Sequence, residues 1–134
     1  MNTLDLLMKM DAGEISKIPE GEMEIKRLSE LTGEKFVIKY QALPGRRITE
    51  LSNNTKDKNG NVIASRAYDA NLILIGEAVV SPDLKDEKLQ KHFGAASPKD
   101  LADKLFNGGE VSNISGKIML ISGFGEDTDE EIKN

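Results

Sequence analysis

The chain has 134 residues, of which 38% are apolar and 31% charged, as is typical of a single folded domain with a buried core. Its 23 acidic and 18 basic residues give a net charge of −5, which argues against nucleic acid as the main partner because phosphates would be repelled. The absence of cysteine excludes disulfides and thiolate metal sites, and it suits a reducing cytoplasm.

The first residues predict a short helix on a flexible arm. A helix over residues 3–12 places Leu4, Leu7 and Met8 on one face, with Thr3 as its cap. Residues 13–22 mix glycine, proline and charges without a period, which predicts a linker. The exposed face has two open uses, docking on its own domain or binding a partner chain.

Signals for export or for a membrane are not found in the sequence. The N-terminus lacks the basic start of a secretory signal, and Asp5 interrupts its apolar part. No run approaches the ~18 apolar residues that span a bilayer. We therefore expect a cytoplasmic protein without a membrane segment.

A two-residue period then predicts an antiparallel β-hairpin with one buried face. Residues 22–28 and 35–43 alternate apolar and polar side chains, and the SELTGE segment between them is the predicted connection. The buried face comprises Met23 and Ile25 in the first strand and Phe36, Ile38, Tyr40 and Ala42 in the second. Because two strands alone are marginal, helices are expected to cover them.

The remaining chain is predicted to be mainly helical. Residues 65–80 form the strongest predicted helix, with apolar side chains on one stripe at Tyr68, Leu72, Ile75 and Val79. A weaker helix after Pro44 carries Ile48 and Leu51, and Asn59-Gly60 predicts a tight turn. Ser81-Pro82 and Ser97-Pro98 each predict a helix start, since a hydroxyl caps the helix and proline suits its first position.

The glycine-rich residues 105–125 could form either a phosphate-binding loop or a helix. A Walker-type loop that ends at Gly116-Lys117 would have Val111 in place of its first glycine and Ile118 in place of its metal-binding hydroxyl. The alternative is supported by spacing, because Val111, Ile114, Ile118 and Ile121 recur at a helical period. We predict a packing helix.

Other candidate sites are weak. One histidine without cysteine cannot form an ordinary zinc site, and His92 could act in catalysis only with an acid such as Asp86 or Asp100. The DKNG segment at residues 57–60 lacks the first and last ligands of a calcium loop. The acidic run 126–131 and the Arg46-Arg47 pair are most simply solvated surface.

The order of four segments resembles the XkdN-like family of phage tail assembly chaperones. The segments are TLDLLMKMDAGEI near the start, MEIKRLSELTGEKFVIKYQAL, HFGAASPKDLADKLFNGGEV, and ISGFGEDTDEEIKN at the end. The similarity spans nearly the whole chain and is weakest over residues 53–70.

The resemblance implies a non-enzymatic role in phages and prophages of Gram-positive bacteria. Such a chaperone would bind the tape measure protein in the host cytoplasm, keep it soluble until the tail tube polymerises, and be absent from the finished virion. Tail tube protein, a frameshift-extended form of the chain and a second copy of it are further candidate partners. The family implies no catalytic residue, metal or cofactor. An adaptor or regulatory protein that binds another phage protein is the alternative.

These observations predict an α+β fold, in which a mainly helical domain packs on a small antiparallel β-hairpin and an N-terminal helix sits on a flexible arm. The predicted division is an N-terminal helix and linker in residues 1–22, a chaperone domain in residues 23–125, and an acidic tail in residues 126–134. Leu4, Leu7 and Met8 are the hypothesised partner-binding residues.

Overall fold

The computed structural model describes residues 1–125 and shows an α+β fold in that part of the chain. Residues 1–125 form eight helices and a three-stranded antiparallel sheet of order β1-β2-β3. The strands are β1 Glu20–Glu24, β2 Val37–Gln41 and β3 Val79–Ser81. The helices are α1 Thr3–Lys9, α2 Ala12–Ser16, α3 Lys26–Thr32, α4 Gly45–Asn53, α5 Ala64–Ala78, α6 Glu87–His92, α7 Pro98–Leu105 and α8 Gly108–Ile121. The predicted fold class is confirmed.

The predicted strand pair forms, but its connection is a helix. β1 and β2 are antiparallel with Glu20 opposite Gln41 and Glu24 opposite Val37. The predicted hairpin connection is wrong, because α3 occupies most of the segment between the strands, and Gly33, whose φ is 78°, is its C-cap. The first strand is therefore shorter than predicted and ends before Lys26.

A third strand replaces the predicted end of the long helix. α5 stops at Ala78, and Val79 pairs with Tyr40 of β2. β-branched valines favour a strand. The edge of β2 that does not face β1 offers free backbone N–H and C=O groups, and these pair with the valine segment. The helix itself is confirmed, since Leu72 and Ile75 are buried within it. The prediction of Tyr68 on the buried stripe is wrong, because that side chain is exposed near the start of α5.

Only one of the two serine–proline pairs starts a helix. Ser97 accepts a hydrogen bond from the Asp100 N–H, and Pro98 begins α7 as predicted. The prediction for Ser81-Pro82 is wrong, because Ser81 is the last residue of β3, opposite Lys39. The α6 helix is capped instead by Asp86, whose carboxylate accepts from two backbone N–H groups.

The arm differs from its prediction in detail. α1 is capped by Asn2 rather than Thr3 and ends at Lys9. The residues predicted as a linker include most of α2 and the start of β1, so the predicted boundary at residue 22 falls inside a strand. The division of the chain into units remains a prediction.

The core lies between α5, α7, α8 and the sheet. Ile38 from the sheet, Ile75 from α5, Leu101 from α7 and Ile114 from α8 are all fully buried. The glycine-rich segment is confirmed as a packing helix, because Gly116-Lys117 lies in the middle of α8. That helix starts with a capping box, in which Asn107 and Glu110 each bind the other's backbone N–H.

Candidate protein-binding surfaces

The acids proposed to act with His92 have structural roles. His92 is the exposed last residue of α6, and its ring packs edge-on against Phe93 with centroids 4.9 Å apart. Asp86 caps α6, and the Asp100 carboxylate accepts the Ala96 N–H. Within residues 1–125 no hydrogen bond joins His92 to either acid. This geometry supplies no base held ready for a nucleophile.

The turn predicted at Asn59-Gly60 and Arg47 of the Arg46-Arg47 pair both have structural roles. The Asp57 carboxylate accepts from the Asn59 and Asn61 N–H groups, and Gly60 has a φ of 83°. Arg47 bridges α4 to α5 through Glu77, with Nη2 2.6 Å from Oε2. Among residues 1–125, no three His, Cys, Asp or Glu side chains gather as a metal site.

The arm helix α1 carries an exposed apolar face. Leu4, Leu7 and Met8 lie on one side of α1 and are 65%, 55% and 78% exposed. We call these three side chains together the α1 face. Leu6, on the opposite side of α1, and Met10, its C-cap residue, are also exposed. Asp5 borders the face and Lys9 lies behind it, at about 100° of helix rotation per residue.

The α1 face does not dock on its own domain in the structure. No residue of α1 or α2 is buried. A helix of seven residues is also too short to be stable in water without packing contacts. Of the two uses left open by the sequence, this arrangement leaves the face available to a partner chain.

A second apolar surface was missed by the sequence analysis. It is a groove of about 590 Å³ along the outer side of α8, which we call the α8 groove. Its apolar lining consists of Met23, Met119, Leu120 and Phe124, and its polar lining of Ser112, Asn113 and Lys117. The available signal was that Met119 and Leu120 fall outside the stripe that α8 buries.

The C-terminal end of α8 holds Phe124 against this groove. The Phe124 N–H binds the Met119 carbonyl at 2.9 Å, and the Gly123 N–H binds the Leu120 carbonyl at 3.0 Å. These two bonds and the positive φ of Gly123 form a Schellman cap, which turns the chain back toward the helix. An aromatic side chain is thereby fixed at one end of the groove.

An ion pair fixes the other end of α8. The Arg27 Nη2 atom lies 2.8 Å from Glu110 Oε1 and also donates to the Leu105 carbonyl at 2.7 Å. Hydrogen bonding to Arg27, supported by the Asn107 N–H, holds the pKa of Glu110 below its usual range despite partial burial. The pair ties α3 to the first turn of α8.

This ion pair predicts a loss of stability in acid. A carboxyl whose pKa is lower in the folded than in the unfolded state stabilises the fold above the unfolded pKa, and that contribution disappears as pH falls through the folded pKa. We expect the free energy of unfolding of the wild type to fall more steeply from about pH 5 to pH 3 than that of Glu110→Gln. Urea unfolding across this range measures the difference, and parallel profiles would contradict the prediction.

The acidic run 126–131 lies outside the residues that the structure describes. Its role as a solvated tail remains a prediction. In residues 1–125 no helix has the length and apolarity required to cross a membrane.

Comparison with known proteins agrees with the predicted resemblance. A family model described as phage XkdN-like tail assembly chaperone protein matches residues 4–134. The chain is also similar to the crystal structure of a protein named YqbN, at 23% identity and a TM-score of 0.57, over 87% of this chain and 98% of that one. This likeness shows the fold. No curated protein matches the chain.

Proposed function

Since this chain belongs to the phage XkdN-like tail assembly chaperone family, we propose that it binds the tape measure protein and keeps it soluble until the tail tube polymerises. In this proposal the chain works in the host cytoplasm and is released before the virion is complete. Tail tube protein and a frameshift-extended form of the chain are further candidate partners.

The exposed α1 face is the observation that carries the proposal. A chaperone for an aggregation-prone helical protein needs apolar surface that water can reach and that adapts to different side chains. The α1 face meets both needs, because its three side chains are more than half exposed and Met8 is unbranched and flexible. An amphipathic helix of the tape measure protein is the partner that such a face fits.

Binding through the α1 face would be weak enough to reverse. Full burial of one large aliphatic side chain contributes about 1.5–3 kcal/mol, so three partly exposed ones contribute roughly 3–6 kcal/mol. Ordering the arm and the partner offsets part of this gain. Micromolar binding needs about 8 kcal/mol, so one arm alone would bind more weakly than that. Polymerising tube subunits could then displace the chaperone.

The test is co-expression with the tape measure protein of the same phage, followed by a solubility assay and affinity capture. We expect the wild-type chain to keep the tape measure protein in the soluble fraction and to co-purify with it. Replacing Leu4, Leu7 and Met8 together by serine should weaken capture by about 100-fold, because most of the buried apolar area is lost. The triple variant should still fold, since none of the three side chains is buried.

A matched control removes the same number of exposed apolar side chains elsewhere. Leu31, Val62 and Phe93 are 72%, 62% and 45% exposed and lie outside the arm. Their joint replacement by serine should leave capture unchanged. Equal capture by the α1-face variant and the wild type would exclude the α1 face as the binding surface. Insolubility of the tape measure protein even with the wild-type chain would refute the chaperone proposal itself.

A further inference from the structure

Within residues 1–125, no close contact explains why position 116 is a glycine. It lies in the middle of α8, where glycine costs about 1 kcal/mol relative to alanine. Outside its own helix backbone and its two neighbours, a Cβ atom built on Gly116 would meet no atom of residues 1–125 within 4 Å. The other mid-helix glycine, Gly76, differs, because its Cβ would lie 3.1 Å from the Pro98 Cβ. Gly76 therefore has a packing reason within the chain, whereas Gly116 leaves an open gap in the wall of the α8 groove.

The shape of this gap suits another helix. Ser112 and Gly116 are one helical turn apart and both line the groove. Two small residues at this spacing let a second helix approach the α8 backbone closely, while Met119, Leu120 and Phe124 receive its apolar side chains. The groove is therefore lined by two small residues along one part and by larger apolar side chains at one end.

We infer that the α8 groove binds the α1 helix of a second copy of this chain. α1 is a short helix whose apolar face is unburied, and the α8 groove is an apolar surface without a partner in the single chain over residues 1–125. Charge supports this pairing, because Lys117 is the charged residue of the groove lining and Asp5 borders the α1 face. Lys9, the cation of α1, lies on the far side of that helix.

The position of the arm favours a dimer in which each copy places its α1 helix in the α8 groove of the other. The arm joins the domain at Ile18 and Pro19, which line a surface pocket together with Ile121 and Gly123. This junction is therefore at the C-terminal end of α8, the end at which Leu120 and Phe124 line the groove. Two copies packed about a twofold axis could each place α1 in the other's groove, which closes the assembly and leaves neither apolar surface exposed.

Sedimentation analysis of the purified chain tests the inference without the tape measure protein, so its outcome is independent of the proposed function. We expect a wild-type dimer of twice the 14.7 kDa chain mass. Gly116→Gln fills the gap and should raise the dimer dissociation constant by about 100-fold, as should the α1-face serine variant. Gly116→Ala, which improves helix propensity equally without filling the groove, should change it by less than about 3-fold.

Mixing the two disrupted variants identifies the pairing. The Gly116→Gln chain keeps its arm and the α1-face variant keeps its groove, so together they retain one intact arm–groove contact. We expect the mixture to associate more tightly than either variant does alone at the same concentration, although less tightly than the wild type, because it keeps one of the two contacts. A wild-type chain that stays monomeric, a Gly116→Gln variant that dimerises normally, or a mixture that associates no more tightly than either variant alone would each overturn the inference.

Discussion

Replacement of Ile114 by alanine is expected to lower the free energy of unfolding by about 2–5 kcal/mol. Ile114 is fully buried in α8, where it belongs to the same core cluster as Ile75 of α5 and Ile38 of the sheet. Truncation removes apolar contacts and leaves a cavity that helices anchored at both ends cannot close. A chain of 134 residues has a total stability of about 7–20 kcal/mol, so this is a large fraction.

Urea unfolding followed by circular dichroism measures the effect of Ile114→Ala. The matched control is Leu31→Ala in α3, because Leu31 is 72% exposed and its truncation should change stability by less than about 0.5 kcal/mol. A loss below about 1 kcal/mol for Ile114→Ala would show that α8 is not held in the core as the structure indicates.

Replacement of Gly76 by leucine is expected to destabilise the fold by about 1–3 kcal/mol or more. At this position α5 packs closely on the start of α7, with the Gly76 Cβ direction pointing at the Pro98 Cβ, 3.1 Å away, and at the Pro98 carbonyl carbon, 3.3 Å away. Backbone atoms cannot rotate aside as a flexible side chain can. The added side chain must therefore push α7 outward, and fully buried Leu101 on that helix would lose contacts.

Leucine at Gly116 is the matched control, and we expect it to raise rather than lower the free energy of unfolding. Outside its own helix backbone and its two neighbours, a Cβ atom at Gly116 meets no atom of residues 1–125 within 4 Å, so Gly116→Leu should gain up to about 1 kcal/mol from helix propensity. Both variants are compared by urea unfolding at one low protein concentration, because self-association would add to the apparent stability. Equal stability changes in the two variants would contradict the packing difference between the two glycines.

The two proposed uses of the α1 face exclude each other. A chain whose arm lies in the α8 groove of a second copy cannot offer Leu4, Leu7 and Met8 to the tape measure protein at the same time. Arm exchange would therefore cover the apolar surface when no partner is present, which limits aggregation of the chaperone itself. The tape measure protein would have to displace the exchanged arm in order to bind.

Much of the helical core could be predicted because periodicity reports burial directly. The spacing of Val111, Ile114 and Ile118 indicated one buried face of a helix, and all three are fully buried. In the second strand, Ile38 and Tyr40 are buried as the two-residue alternation predicted. Each of these predictions rests on one side of one element facing an apolar core.

The errors occurred where a distant partner decides a local conformation. Val79 and Val80 continue the apolar pattern of α5, and only the edge of β2 turns them into a strand. The segment between β1 and β2 was predicted as the end of the first strand and its connection, but it forms α3, where Arg27 binds Glu110, 83 residues away. The Ser81-Pro82 pair had the chemistry of a helix start, yet Ser81 belongs to the sheet.

The sequence by itself determined the family, the α+β class, the buried helix faces and the apolar composition of the α1 face, because those properties depend on the order and periodicity of residues along the chain. The tertiary structure alone decided the third strand, the helix between the first two strands and the α8 groove. A groove exists only where side chains from separate elements meet, here Met23 of β1, Met119 of α8 and Phe124 beyond its cap. Such a meeting depends on packing in three dimensions, which periodicity along one segment does not record.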